Sequence, residues 1–429
     1  MHPLLSPLYS MVAGTAATIA RLQVGTDSKA WRAVRARAGA VERFERWARD
    51  HRDTARPLLW MHAPSVGEGL QARPVIALLR ERHRDLQVVY TYFSPSAERF
   101  ASSVGADFAD YLPFDTATAA ARLLGSLRPD AIVFAKLDLW PRLAEAARAR
   151  AVPLGMISAT LSAGSGRGGL LARALLGDAY AALDLVGAID TEDGARLVTL
   201  GVRADRVRVT GDTRYDQVAA RAAATDRAST LLAPLVSDRP TLVAGSTWPA
   251  DEAVLLPAWL AVREQVPGAR LVIAPHEPTP AHLAPVERWA TTAGLSLARL
   301  SAADATHDVV LVDRVGVLGE LYALASAAYV GGGFHAAGLH SVLEPAAFGA
   351  PVLFGPRHTN SRDAGLLIAA RGGEAVEDIA SMTRALRIVL SEPDTRANAG
   401  AAARRVVHSG LGAAARSAEL VEALVARAK

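Results

Sequence analysis

Four short stretches of this chain hold the side chains best suited to chemistry at a ligand. The first is Pro64-Ser65-Val66-Gly67-Glu68-Gly69, which follows the apolar run Leu58-Leu59-Trp60-Met61. A carboxylate at such a turn can accept a proton from a bound hydroxyl at ordinary pH, so Glu68 is a candidate general base. The alternative is a helix-start acid that only complements the helix dipole. The second stretch is Val330-Gly331-Gly332-Gly333-Phe334, with His340, Ser341 and Glu344 close behind. Glycines such as Gly332 and Gly333 let a ligand approach the backbone, and Glu344 can accept hydrogen bonds from a ribose diol. Against this stands a glycine turn made for packing and an acid made for the dipole. The third, Gly245-Ser246-Thr247, offers amides to a phosphate, and Thr247 is placed to cap the next helix. The fourth, Ala274-Pro275-His276-Glu277-Pro278, puts an imidazole at a strand end, where a structural histidine is the plainer reading.

The elements that must position these residues follow from the apolar pattern. Leu58–Met61 reads as a short buried strand and the residues after Gly69 as a helix, the opening unit of a doubly wound sheet. Further strands are expected at 86–93, 111–113, 131–134, 152–158, 186–189 and 207–210. Helices are expected at 117–127 and 170–183. The stretch 212–238 is alanine-rich, polar and closed by Arg239-Pro240, so it reads as an interdomain connection. A second series then begins, with strands at 241–244, 271–274, 309–312, 328–330 and 351–354. Its helices are expected at 251–266, 281–293, 318–326, 342–348 and 364–370, and from 379 to the end with a break at 391–393. Strands alternating with helices imply parallel pairing, right-handed crossovers and an α/β fold. Two such halves, facing one another across a central cleft, make the layout of many nucleotide-sugar transferases.

Composition sets the outer limits. With 429 residues, 51% hydrophobic and 21% charged, the chain is long enough for two or three packed domains and too apolar for disorder. It has no cysteine, which removes disulfides, thiolate metal sites and cysteine nucleophiles. A formal charge of +4 suits an anionic partner, although an arginine-rich composition can be only a habit of the chain. Gly67-x-Gly69 lacks the third glycine of a dinucleotide fingerprint, and neither a Walker lysine nor HExxH occurs. No Asp-x-Asp of the kind that holds a metal for sugar nucleotides is present. We therefore expect a metal-independent reaction without a cofactor, and no nucleic-acid module.

From Pro3 to Ala20 no residue is charged, and Arg21, Lys29, Arg32, Arg35 and Arg37 follow. That order suits an interfacial anchor beside anionic headgroups better than a cleaved signal peptide. The competing reading is an ordinary buried first helix.

Taken together, the blocks WMHAPSVGEGLQARPVI, TYFSPSAERF, YLPFD, FAKLDLWP, VTGDTRYD, AGSTWPADE, IAPHEP, VLVDRVGVLGELYALA and VGGGFHAAGLHSVLEPAAFGAPVLFGPRH resemble the 3-deoxy-D-manno-octulosonic acid (Kdo) transferases of lipopolysaccharide synthesis. The resemblance implies a GT-B fold of two Rossmann-like domains facing a central cleft. It also implies inverting transfer of Kdo from CMP-Kdo to a lipid A precursor at the cytoplasmic face of the inner membrane. In domain terms it suggests a membrane-anchor segment at 1–30, an acceptor domain at 31–220, a CMP-sugar domain at 238–395 and C-terminal helices at 396–429. Glu68 falls on the family's catalytic acid. Arg214, Ser246, Thr247, His276, Glu277, Gly316, Gly332, Gly333, Ser341 and Glu344 fall on the donor side, and Ser65, Gly67, Lys136 and Asp138 on the acceptor side. Ser341 stands where the family usually has asparagine, and Arg214 where many members have lysine. Two rivals to this reading are another GT-B transferase or epimerase using a different sugar nucleotide, and a non-catalytic binding protein of the same fold.

Overall fold

The computed structural model describes residues 5–22, 28–162 and 164–428. Residues 1–4 and 23–27 of the expected anchor lie outside the described residues, as do Ala163 and Lys429. The chain divides into two compact units. One runs through Gln217 and takes back Leu411 onward; the other is Val218–Gly410.

The first unit carries seven strands: β1 (Leu58–His62), β2 (Gln87–Tyr92), β3 (Phe108–Tyr111), β4 (Ala131–Ala135), β5 (Leu154–Ala159), β6 (Leu185–Ala188) and β7 (Val207–Val209). They pair in the order β3-β2-β1-β4-β5-β6-β7, with every pairing parallel. A parallel sheet is covered by helices on both faces, so its central strands have no polar side to show. Leu58 to His62 are accordingly all buried. Alternate residues feed opposite cores: Leu58 and Trp60 pack with Phe44, Leu123 and Phe134, while Leu59 and Met61 pack with Val75, Ile76 and Ile157. The last long helix, Ala413–Val425, closes the second of these cores through Ala418, Val421 and Leu424. Its start is fixed by Asp216, whose carboxylate accepts from the amides of Gly412 (2.8 Å) and Ala414 (2.9 Å).

The second unit repeats the plan with β8 (Thr241–Thr247), β9 (Arg270–Pro275), β10 (Leu297–Arg299), β11 (Val309–Leu311), β12 (Ala327–Val330), β13 (Val352–Phe354) and β14 (Gly373–Ala375), in the order β10-β11-β9-β8-β12-β13-β14. Prolines open several helices, at Pro141, Pro249, Pro280 and Pro393. There the missing N–H costs nothing and the fixed φ is already helical.

The expected strands and helices are found within a few residues; the helices Ala40–His51, Pro141–Ala149 and Thr191–Thr199 are not among them, the C-terminal helical stretch breaks again after Ser409, and three further differences stand out. The edge strands β10 and β14 are three residues each and partly exposed, too short to show a period. The strand expected at 111–113 pairs earlier, at Phe108–Tyr111. The stretch read as a connection contains the helix Arg214–Ala224, whose small residues hid its periodicity.

The N-terminal helix, Ser6–Arg21, is docked on the first unit. Tyr9 donates to Asp115 at 2.7 Å, and Arg142 donates to the Ser6 carbonyl and to the Ser6 and Ser10 hydroxyls. Its outer face leaves Leu8, Met11 and Val12 54–62% exposed. Among the described residues, no helix is long and apolar enough to cross a membrane.

Candidate active site

In a doubly wound sheet, ligands bind at the carboxyl ends of the strands where the strand order reverses. In the first unit that point lies between β1 and β4. The helix Val66–Arg82 starts straight after β1, with Ser65 as its N-cap accepting from the Gly67 amide at 3.2 Å. Glu68 stands in the first turn, three residues after that cap, and takes the Ser65 hydroxyl proton as a hydrogen bond. Its other oxygen accepts from Lys136 Nζ at 3.0 Å. The Glu68 side chain is 16% exposed and that of Lys136 40%. Burial pushes Glu68 up, but the Lys136 charge and the hydrogen bonds from Ser65 and Lys136 outweigh it, so the carboxyl sits below its usual range. Lys136 is held at φ +59°, and Ser158 at the neighbouring strand end at +49°. Such left-handed non-glycine residues are strained, and strain of this kind gathers at functional sites. Gly69 is buried against the Phe100 ring and the Tyr90 hydroxyl, so a side chain there would displace both.

Asp138, two residues beyond Lys136, is engaged differently. His62 Nε2 lies 2.9 Å from Asp138 Oδ2, and Trp140 Nε1 donates to the same oxygen at 3.2 Å. On the far side of the imidazole, Thr91 Oγ1 lies 2.9 Å from Nδ1 and accepts from Trp60 Nε1 at 2.9 Å. The Thr91 hydroxyl can give its proton to Nδ1, which leaves Nε2–H to face Asp138. Burial raises Asp138, but these N–H groups more than offset it and hold the carboxyl low. Arg214 also belongs to this unit: its backbone and guanidinium both bond the buried Asp212 carboxylate, with Nη2 at 2.7 Å.

The second unit has its own reversal point between β8 and β12, where Ser246, Thr247 and the three glycines stand. Ser246 has φ +54° and Gly332 +93°. The space the glycines leave is used by the chain itself: Gly331 meets the Ser246–Thr247 backbone, Gly332 the Gly338 carbonyl and Gly333 the Gly355 backbone. One carboxylate pins this turn. Asp251, fully buried, accepts from Trp248 N (2.9 Å), Gly332 N (2.8 Å), Phe334 N (3.2 Å) and the Tyr329 hydroxyl (2.8 Å). The cap of the helix Pro249–Gln265 is therefore Trp248 with Asp251, whereas the Thr247 hydroxyl donates to Glu252 at 2.8 Å.

Beside this turn four rings stack at the strand ends. Trp248 lies against His335 (centroids 4.1 Å apart) and His276 (4.7 Å), and His276 lies against His340 (4.5 Å). Trp248 Nε1 donates to His340 Nε2 at 3.2 Å. Burial, with His276 as a second cation-forming neighbour, holds His340 below the usual imidazole range. Glu277 is exposed next to this stack and Ser341 is exposed at the end of the loop. Glu344 faces Arg221 Nη1 at 3.4 Å, and burial pushes its carboxyl up further than Arg221 pulls it down. Gly316, at φ +91°, passes its carbonyl close to the same arginine.

Sequence reasoning missed Asp251, Arg221, His62 and the Trp248–His335 pair. Only Asp251 had a local signal, as an acid three residues after the residue that proves to be the helix cap. Arg221 and His62 meet partners 123 and 76 residues away, which no local spacing reveals.

The family profile described as 3-deoxy-D-manno-octulosonic-acid transferase (kdotransferase) matches residues 38–217. A 3-deoxy-D-manno-octulosonic acid transferase of Bordetella pertussis is 32% identical over 412 residues, covering 91% of this chain and 94% of that protein. One of Haemophilus influenzae is 27% identical, covering 86% and 87%. A probable mitochondrial one of Arabidopsis thaliana is 29% identical over 76% and 75%. Among solved structures, the UDP-GlcNAc 2-epimerase of Neisseria meningitidis, bound to UDP-GlcNAc, aligns with TM-score 0.61 at 16% identity over 86% of this chain and 99% of its own. That of Methanocaldococcus jannaschii aligns with TM-score 0.57 at 14% identity, over 82% and 99%. At such identity the likeness speaks to the fold alone, two parallel-sheet α/β domains of the GT-B type.

Proposed function

Because the chain belongs to the 3-deoxy-D-manno-octulosonic acid transferase family, we propose that it moves Kdo from CMP-Kdo to a sugar hydroxyl of a lipid A precursor, with inversion at the anomeric carbon. The observation that carries this reading is Glu68, an ionised carboxylate at a strand-to-helix turn, oriented by Ser65 and Lys136. In the proposed step the acceptor oxygen bonds to the anomeric carbon as the bond from that carbon to the phosphate oxygen breaks. The hydroxyl proton passes to Glu68 and CMP leaves with the bonding pair. A base held below its usual pKa is weak toward a free alcohol. It suffices here because the proton leaves as the attacking oxygen becomes acidic along the new bond.

The donor falls to the second unit. Glu344 is the acceptor for the ribose diol, and Ser246, Thr247, His276, Glu277, Gly316, Gly332, Gly333 and Ser341 surround the phosphate and sugar. Arg214, which stands on the first unit beside Asp212, is the further donor-side residue assigned to the phosphate or the Kdo carboxylate. Ser65, Gly67, Lys136 and Asp138 orient the acceptor. We further propose that the enzyme works on the cytoplasmic face of the inner membrane, held there by the apolar face of Ser6–Arg21.

The test is an assay of purified protein with CMP-Kdo and a lipid A precursor, read by CMP release and product mass. Wild type releases CMP, and Glu68→Gln loses about 10²-fold or more. Equal rates would exclude Glu68 as the base.

A further inference from the structure

A single exposed apolar side chain is ordinary. Phe93 is set apart by its company and its place. Of the phenylalanine, tyrosine and tryptophan side chains among the described residues, it alone is exposed, at 37%. It stands just past the carboxyl end of β2. Its amide and that of Ser94 both donate to the Pro64 carbonyl, at 3.0 and 2.8 Å, which ties it to the turn that carries Glu68. Trp140 reaches it from beyond β4, with ring centroids 5.9 Å apart and planes 19° from parallel. Because β1 lies between β2 and β4, the two rings meet across the end of β1. Trp140 is itself fixed by its bond to Asp138, in the loop that also carries Lys136.

The Phe93 ring has one face to spare. The Arg37 guanidinium lies over it, 3.6 Å from its centroid and 5.5 Å from that of Trp140. With the two rings 5.9 Å apart, these separations put Arg37 and Trp140 on the same side of Phe93. The exposure then belongs to the opposite face and the outer edge. An aromatic face carries partial negative charge. A sugar ring seen from the side of its axial hydrogens is a flat patch of C–H bonds with partial positive charge. The two surfaces match with no hydrogen bond left to satisfy. The ring is also held in place before any ligand arrives, so little rotamer freedom remains to be lost on binding.

We propose that the open face of Phe93 is the platform on which a sugar ring of the acceptor lies, beside Glu68. This rests on the reading that a sugar hydroxyl is delivered to Glu68, and it adds what selects that sugar: an unsubstituted C–H face, rather than an acyl chain or the bilayer. Phe93 touches no reacting atom. It holds the sugar equally before and during transfer, so it acts on the acceptor KM and not on kcat.

The experiment is calorimetric titration of the purified full chain with the lipid A precursor stripped of its acyl chains, followed by transfer assays with the intact precursor. Phe93→Leu keeps an apolar cover over Arg37 and removes the flat face; Phe93→Met is a second such cover should the leucine variant melt early. Phe93→Tyr keeps the face. Leucine should weaken binding of the stripped acceptor about five- to tenfold, and tyrosine should bind it as wild type does. In transfer, leucine should raise the acceptor KM by the same factor and leave kcat and the CMP-Kdo KM unchanged. Equal binding by Phe93→Leu and wild type would overturn the proposal and leave the role of Glu68 standing. A loss confined to the intact precursor would also overturn it, by assigning the ring to acyl chains; so would a parallel loss of flotation with vesicles, by assigning it to the bilayer. A wild type that binds neither form of the acceptor removes the acceptor reading and this proposal together.

Discussion

Asp251 holds the glycine turn that follows β12. This buried carboxylate is the common acceptor for three backbone amides and one hydroxyl, and it ties the turn at Gly331–Phe334 to the helix Pro249–Gln265. Asp251→Ala strands four donors around a buried position, at about 1–3 kcal/mol each. That approaches the whole stability of an ordinary domain, so the variant is expected not to fold. Asp251→Asn is the informative change. With its amide nitrogen turned toward Tyr329, whose hydroxyl can become the acceptor, only the Phe334 N–H at 3.2 Å faces a donor. One orphaned amide plus weaker neutral bonds at the other positions comes to about 2–4 kcal/mol. For a unit of this size each kcal/mol moves the midpoint by about 2–4 °C, so a drop of roughly 5–15 °C is expected. Tyr329→Phe, which removes a single donor and leaves the carboxylate otherwise served, should cost about 1–2 kcal/mol. Calorimetry gives the melting shift, and amide hydrogen exchange at Gly332 and Phe334 reports whether the turn itself has loosened. CMP affinity should fall with it, because the turn borders the donor residues. If Asp251→Asn melts within about 0.5 kcal/mol of wild type and leaves Gly332 and Phe334 protected, the carboxylate does not organise this turn.

Two further outcomes follow from the first unit. Lys136→Met removes the cation that holds Glu68 low, leaving burial to push its pKa up; the acid limb of the kcat/KM profile should move to higher pH, and an unmoved limb would show that Lys136 does not set the charge of Glu68. The sign for stability agrees: a depressed carboxyl contributes above its unfolded value, near 4.5, and loses that contribution as pH falls through the folded one. Since Lys136 is 40% exposed, the loss at pH 7 should stay below about 1 kcal/mol by denaturant titration. For the membrane, replacing Leu8, Met11 and Val12 together with Asn keeps Tyr9, Ser6 and Ser10 in their bonds. At about 1 kcal/mol for each half-exposed side chain, partitioning onto vesicles should drop on the order of 100-fold. Unchanged flotation would rule out this face as the contact.

The architecture was legible in the sequence because each central strand of a doubly covered sheet is an apolar run bounded by turn residues, as Leu58–Met61 and Ala131–Phe134 show. The edge strands β10 and β14 escaped for the opposite reason: a three-residue strand with one covered side has no room for a pattern. Glu68 was legible too, since its place depends on Ser65 three residues earlier and on the helix both begin.

The surroundings of that carboxylate were not legible. Lys136 reaches Glu68 because β4 lies beside β1, and Asp251 reaches Gly332 because β12 lies beside β8. Parallel strands are joined through crossovers, so groups that meet where the strand order reverses come from distant parts of the chain. Local spacing therefore named the acid and the glycine turn. Their charge state and rigidity were decided only when the sheets brought in Lys136 and Asp251.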